Sequence, residues 1–568
     1  MKAFFNAFLL FIIAALLSLP VKTYAQASDT LVVSALPPGN LNNVIMGDTT
    51  ATGQRQDPNR VYILQQTGSM DTMYFVSAIV LNTYNVTIVG KNNPVTGKPP
   101  VVMPFYSADN ATPWVYWRSN KKGANITLKN LYFLGTRADG VCATSSIIYT
   151  LVDSVTVTLD HCVLENFQNA ESNGHPIMLK GNGNKVFVTN CEFRNLQSEI
   201  PTDPCGVWQL RNTNNLDTAV FENNTFFCVN GGAIGAPGYV GYIKLDHNTF
   251  FMGASGSPIK VGQLTNAEIT NNIIYGWNCM GGDSVIIASN TSNQPPALLG
   301  LDTLSNLKNA PYNLTESERK IVVKNNVYYW PQGIFDYWKA YNDTATYDKI
   351  VPTCWMTPRT VGFFADKTTY PNLVAENNDS LDPGFPSSLV QPTIDSLTVY
   401  LNTVWANQAA LGRRWVQLAS DPLNLYADVP DNWESTKGHP VPENLRYTNT
   451  ALYHAGTDNL PLGDLNWFPD ITGVKQIETI PSKFELSQNY PNPFNPTTDI
   501  KYSITKSGFI SLKVFNILGQ EVATLYQGFQ KAGSYDFSFD ASKLASGVYL
   551  YRLQSDGLSI TKKMILMK

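Results

Sequence analysis

Lysines and arginines at the ends of strand-like stretches are the residues of this chain best suited to chemistry. Lys180 ends PIMLK (176–180), Arg211 ends GVWQLR (206–211), and Lys260 lies within SPIKVG (257–262). Trp208 sits on the second stretch and His175 directly before the first, while the preceding loops carry Asp139, Glu171, Glu199 and Asp203. If the stretches are equivalent, Lys180 and Arg211 fall at matching strand ends and Lys260 continues the row. A basic column beside acidic loops suits a uronate chain. Arginine would neutralise the carboxylate and acidify the adjacent C–H, and lysine would remove that proton in a β-elimination. Lys180 and Arg211 are thus the candidate catalytic pair. Lys180, Arg211, Lys260, Trp208 and His175 are the candidate substrate contacts. Strand-end cations also have a plainer use, as solvated charges that discourage edge pairing.

Equivalence of these stretches follows from a repeat. Seven segments align: LKNLYF (128–133), LDHCVL (159–164), VTNCEF (188–193), FENNTF (221–226), LDHNTF (245–250), ITNNII (269–274) and VKNNVY (323–328). Their third position holds Asn130, His161, Asn190, Asn223, His247, Asn271 and Asn325, mostly 24 to 33 residues apart. Self-similarity at that period predicts a solenoid. The units are β-branched and aromatic, alternate in polarity and end in Gly, Asn or Pro, so the coils are built of strands. Each reads as three short strands; around Asn190 these are PIMLK, KVFVT (185–189) and EFRNL (192–196). Coils stacked about 4.8 Å apart pair each strand with its equivalents. An Asn at the bend tolerates unusual backbone angles, and its amide could bond the Asn one coil away as a structural ladder. His161 and His247 are read as ladder substitutes rather than ligands. Cys162 and Cys191 share the next column, where they would stack or bridge.

This pattern resembles the right-handed parallel β-helix of the pectin-lyase-like superfamily, whose asparagine ladder lies between the second and third strands. RVYIL (60–64), NVTIVGKN (85–92) and PPVVMPF (99–105) resemble its opening coils. The resemblance covers residues 30–335. It implies a groove along the first strand as the place of any activity, but fold alone does not carry function. The Asn-Thr-Asp, Asp-Asp and Gly-His-Gly steps of polygalacturonases are missing, as are the signatures of pectate lyases and methylesterases. Only GHP (174–176) and GGD (281–283) come near. A lyase relying on one Lys and one Arg remains compatible. No dense Asp cluster has calcium-site spacing, so no cofactor is expected, with calcium held by scattered Asp an alternative that no motif supports.

The ends set the compartment. Lys2 precedes an apolar run from Phe8 to Leu19 and small-residue exits at Ala25 and Ala27, which reads as a secretory signal peptide over 1–25. Twelve apolar residues are too few to span a bilayer, so the mature chain is expected to have no transmembrane segment. With a net charge of −4 and no polybasic tract, nucleic acid is not an expected partner. Seven cysteines form no CxxC pair, which argues against a compact zinc site.

Beyond about Trp330 the repeat fades. Residues 336–470 read as an irregular extension or cap, with a helix over 396–411 and a clasp over 459–470, and 471–483 as a linker. From Phe484 to Lys568, short alternating strands with turns every 8 to 12 residues predict a small β-sandwich. LSQNYPNPFNPTTDIKYSI (486–504), VFNILGQEVATL (514–525), LASGVYLYRLQ (544–554) and KKMILMK (562–568) resemble the type A C-terminal sorting domain of the type IX secretion system. That family implies an immunoglobulin-like sandwich, a Bacteroidetes-like source, and export through the periplasm to the outer surface or medium. Gly547, Tyr549, Lys562, Lys563 and Lys568 carry the sorting-signal match. The whole therefore reads as all-β: a parallel β-helix, then a sandwich. The expected function is an exported monomer that binds polysaccharide, with a polysaccharide lyase and a non-enzymatic adhesin as alternatives.

Overall fold

The computed structural model describes residues 30–36, 40–51, 56–57, 59–65, 72–76, 79–81, 85–104, 115–135, 146–169, 175–198, 207–209, 214–289, 294–304, 314–346, 349–406, 444–472, 484–504, 508–517, 519–530, 533–542, 544–555 and 558–567. The proposed signal peptide, all of the expected linker 471–483 but Ile471 and Thr472, Arg211, Lys568 and the acidic residues Asp139, Glu171, Glu199 and Asp203 lie outside them. Among the described residues no helix is long and apolar enough to cross a membrane. The chain divides into two compact units, Met1–Thr472 and Gly473–Lys568.

In the first unit each repeat contributes strands to parallel tiers. The coil around Asn190 has Ile177–Leu179, Asn184–Thr189 and Glu192–Arg194. The first and second tiers belong to one 16-stranded sheet, because in Ile234–Asp246 and Ile259–Thr270 the two strands run together. The third tier is a separate sheet of nine strands. Pairing is parallel and in register: Leu128, Leu159, Val188, Phe221, Leu245, Ile269 and Val323 face one another in turn. All seven are at most 3% exposed, so each rung adds one inward apolar side chain to a continuous column. A parallel aromatic column lines the third tier, with ring centroids 4.6 Å apart for Phe193–Phe226 and 4.8 Å for Phe226–Phe250.

The bends between second and third strands are left-handed. Asn130, His161, Asn190, Asn223, His247, Asn271 and Asn325 all have φ between 52° and 60°, where Asn is tolerated better than most side chains. The buried amide chain, however, is displaced from the expected ladder by one residue. Asn224 Nδ2 donates to Asn248 Oδ1 at 2.9 Å, Asn248 to Asn272 at 3.0 Å, Asn272 to Asn326 at 2.9 Å and Asn326 to Asn378 at 2.8 Å. The reason is direction. The third residue of each segment turns outward at the bend, while the fourth points back beneath the next coil, where burial demands partners. Cys162 and Cys191 occupy this same fourth position; the Cys162 N–H donates to Cys191 Sγ at 3.3 Å and both thiols are free.

The repeat also runs one coil further than Trp330. Leu373–Glu376 pairs with the strand at 320–324, and Asn377 repeats the left-handed bend at φ 52°. The extension packs on the outer face of the third tier. Its long helix spans Ser387–Ala406, beginning nine residues before the expected start. Residues 316–318, just before the strand at 320–324, form a turn. Outward rings Phe227, Phe251, Tyr275 and Tyr329 stack in series at 5.1, 5.4 and 5.7 Å, and Phe385 meets Phe251 and Tyr275 edge-on. The aromatic column is thereby removed from water, which is the main stabilisation the extension gains.

The second unit has two antiparallel sheets. One holds Glu485–Leu486, Thr497–Ile504 and Gly533–Asp540; the other holds Gly508–Asn516, Glu521–Gln530, Gly547–Ser555 and Leu558–Leu566. They share one apolar core that includes Ile500, Tyr502, Leu512, Val514, Tyr551 and Met564.

Candidate functional site

The register of the first tier decides which side chains share its outer face. Ile148, Ile177, Val207, Ile234 and Ile259 pair in sequence and belong to the core. Alternation turns the intervening residues to the other side of the tier; in register these positions are Arg118, Tyr149, Met178, position 208, Gly235 and Lys260, of which Tyr149 is 5% and Met178 1% exposed and Gly235 is buried. Lys260 is exposed and Arg118 half-buried.

This geometry corrects the expected basic column. Leu179 pairs with Gln209, where the pairing of these strands ends, and Arg211 lies outside the described residues. Lys260 aligns with Trp208 and Met178 instead of Lys180. The paired strands, Ile177–Leu179 and Val207–Gln209, are shorter than the stretches composition marks out, and a shift of one moves a side chain to the opposite face. Lys180 still reaches the column: its Nζ lies 4.9 Å from the Tyr149 ring centroid, a cation–π contact. His175 is 0% exposed and offers nothing to a ligand at the surface. Arg118 and Tyr149 belong to the face but were not singled out; only the register of VYWRS with SIIYT could have shown them.

A second concentration of polar groups lies at the bends. Asp246 Oδ1 accepts from Thr270 Oγ1 and Asn271 Nδ2, both at 2.8 Å, and lies 3.2 Å from His247 Nδ1. Lys244 Nζ is 2.6 Å from Glu222 and 3.3 Å from Asp246. On its other side, His247 Nε2 faces Asp458 Oδ1 at 3.5 Å. Burial alone would push His247 down, but its contacts with Asp246 and Asp458 hold the imidazolium and raise it to about 9. Burial likewise opposes ionisation of Asp246, yet His247, Lys244 and Thr270 keep its carboxyl well below the usual range. These contacts join the residues around Asp458 to the coils, which is a structural role, with His247 Nε2 held to Asp458 by charge rather than by a hydrogen bond. Asp464 completes the clasp: burial pushes it up to about 7, while Thr225 Oγ1 donates to it at 2.8 Å.

Among the described residues no group of three or more His, Cys, Asp or Glu is placed to hold a metal ion. In the second unit, Gly547 and Tyr549 lie on a central strand, and the Tyr549 hydroxyl donates to Ala545 O at 2.8 Å. Lys562 and Lys563 lie on the neighbouring edge strand, Lys563 exposed.

No curated protein and no solved structure matched the chain. Residues 488–567 match the family described as Secretion system C-terminal sorting domain, and thus nearly the whole second unit. The chain carries a type IX secretion system sorting domain, which marks it for export and for release or attachment at the cell surface.

Proposed function

We propose that the chain is a type IX cargo whose first unit is a right-handed parallel β-helix of the pectin-lyase-like kind and binds an acidic polysaccharide along its first tier. On this reading the second unit is an immunoglobulin-like sandwich, and a signal peptide takes the chain to the periplasm first. What supports the binding reading is the row of register-equivalent positions on the first tier that carries the half-buried Arg118 and the exposed Lys260, with Lys180 over the Tyr149 ring. Such a row repeats once per coil, about 4.8 Å apart. Regular spacing suits a regular polymer, with cations for its carboxylates. The lyase reading has less support, because the sequence lacks the pectate lyase signatures and Arg211 lies outside the described residues.

The test is retention of the purified chain on immobilised polygalacturonate, alginate and glycosaminoglycans. Saturable retention without unsaturated uronate products, weakened by Lys180→Ala and Lys260→Ala, supports the binder. Release of unsaturated products would make the chain a lyase. No retention on any acidic glycan would leave an adhesin or structural surface protein. Deleting residues 484–568 should stop the cargo reaching the outside while leaving the rest in the periplasm.

A further inference from the structure

The Asp–His pair at the bend occurs twice in this chain, in LDHCVL and LDHNTF, and the two copies are built alike. Asp160 Oδ1 accepts from Thr189 Oγ1 at 2.9 Å and Asn190 Nδ2 at 3.1 Å and lies 2.9 Å from His161 Nδ1. The same atoms of Thr270, Asn271 and His247 surround Asp246 Oδ1. Both histidines have φ 52°. A lysine attends each carboxylate, Lys129 at 3.7 Å from Asp160 and Lys244 at 3.3 Å from Asp246.

The copies differ in what lies over them. At His247 the clasp, whose contacts begin at Ala455 rather than at the expected residue 459, supplies Thr457 and Asp458. Thr457 N–H donates to Asn271 Oδ1 at 2.8 Å, Asn271 Nδ2 donates to Thr457 Oγ1 at 2.9 Å, and Asp458 faces His247 Nε2. The His247 side chain is left 4% exposed, against 31% for His161. The clasp also touches Asn325, through Ala455 O, and Asn223, through Asn466 Nδ2. It therefore tracks the bends of the later coils, and the track continues in the earlier ones.

We propose that His161 and Asn190 form a docking site for a turn of another protein in which a hydroxyl residue is followed directly by an acidic one, as in the turn over 456–460, where the Gly456 N–H donates to Leu460 O at 3.0 Å. The occupied copy specifies the chemistry: an N–H and a hydroxyl for the asparagine amide, and a carboxylate for the second imidazole nitrogen. A polypeptide offers all three from two consecutive residues. A uronate offers only the hydroxyl and the carboxylate. Continuity of the track with the clasp interface makes the site an extension of a contact the fold already uses.

The probe is a capped synthetic peptide of residues 455–460, Ala-Gly-Thr-Asp-Asn-Leu, titrated onto the full chain. Saturable binding is expected. His161→Asn, which installs the residue most other bends carry, and Asn190→Gly, which keeps the left-handed bend without the amide, should each weaken it tenfold or more. Thr457→Val and Asp458→Asn in the peptide should do the same on the unaltered protein, so the result does not hang on the folding of a variant. No saturable binding, or binding indifferent to all four changes, would overturn the proposal. So would His161-dependent binding of oligogalacturonate with none of the peptide, since the occupant would then be a glycan.

Discussion

Truncating Asn248 to alanine isolates the amide chain that runs through the bends. Asn248 is 0% exposed and makes four side-chain hydrogen bonds. Its Oδ1 accepts from the Asn224 N–H at 3.1 Å and from Asn224 Nδ2 at 2.9 Å. Its Nδ2 donates to Phe221 O at 2.9 Å and Asn272 Oδ1 at 3.0 Å. After truncation Asn224 Nδ2 keeps Val188 O, and Asn272 Oδ1 keeps the Asn248 N–H. The Asn224 N–H loses its acceptor. An unmet buried polar group costs about 1–3 kcal/mol, and the weakened neighbours add to that, so Asn248→Ala should cost about 2–5 kcal/mol. Asn223→Gly is the control: it removes the outward side chain at φ 54° and keeps a conformation glycine adopts freely, for a change of about 1 kcal/mol or less. All eleven tryptophans precede residue 473, so urea unfolding of the full chain followed by tryptophan fluorescence reports on the first unit. A cost below about 1 kcal/mol for Asn248→Ala, or a larger cost for Asn223→Gly, would refute the argument.

Other consequences follow from the same contacts. His247 is raised to about 9 in the folded chain against a model-peptide value of about 6.5, so its contribution is complete below pH 6.5 and lost as pH rises through 9. Stability of the first unit, measured by urea unfolding across that range, should fall by about 2–3 kcal/mol, and His247→Asn should flatten that slope. Phe250, 1% exposed, stacks on Phe226 and meets Trp277 edge-on at 5.3 Å; Phe250→Ala should cost about 3–5 kcal/mol in the same assay. At Gly90 a Cβ would be driven into the Asn130 carbonyl of the next coil, so Gly90→Ala should lower the melting temperature although alanine is otherwise the better residue for a strand.

Much of the coil architecture was legible because it is periodic. The bend at the third position of each segment, the tiers of strands and the two-part division all follow from spacing and polarity. The amide chain was missed by one residue although its letters are plain: ENNTF, TNNII, KNNVY and ENNDS each carry two adjacent asparagines. Periodicity locates a pair but does not say which member turns inward, since that depends on the left-handed bend between them. The last of those segments also marked the extra coil at 373–379, hidden by an insertion of about the length of two helices. At the first tier the difficulty was register. Lys180, Arg211 and Lys260 look equivalent when strands are bounded by composition, and a one-residue error moves a cation to the other face. The clasp contacts Asp458–His247 and Asp464–Thr225 join residues more than 200 positions apart and have no local signal.

Cross-linking across coils tests the stacking most directly. Thr156 and Lys185 pair in register on the outer face of the second tier, so their Cα atoms should stand about 4.8 Å apart, inside the window of about 4.4–6.8 Å for a disulfide. The double variant Thr156→Cys/Lys185→Cys should oxidise to an intramolecular bridge, whereas Thr156→Cys/Phe187→Cys, two residues out of step and roughly 8 Å apart, should not. Bridging of the second pair and not the first would contradict the register on which the coils, the first-tier row and both binding surfaces depend.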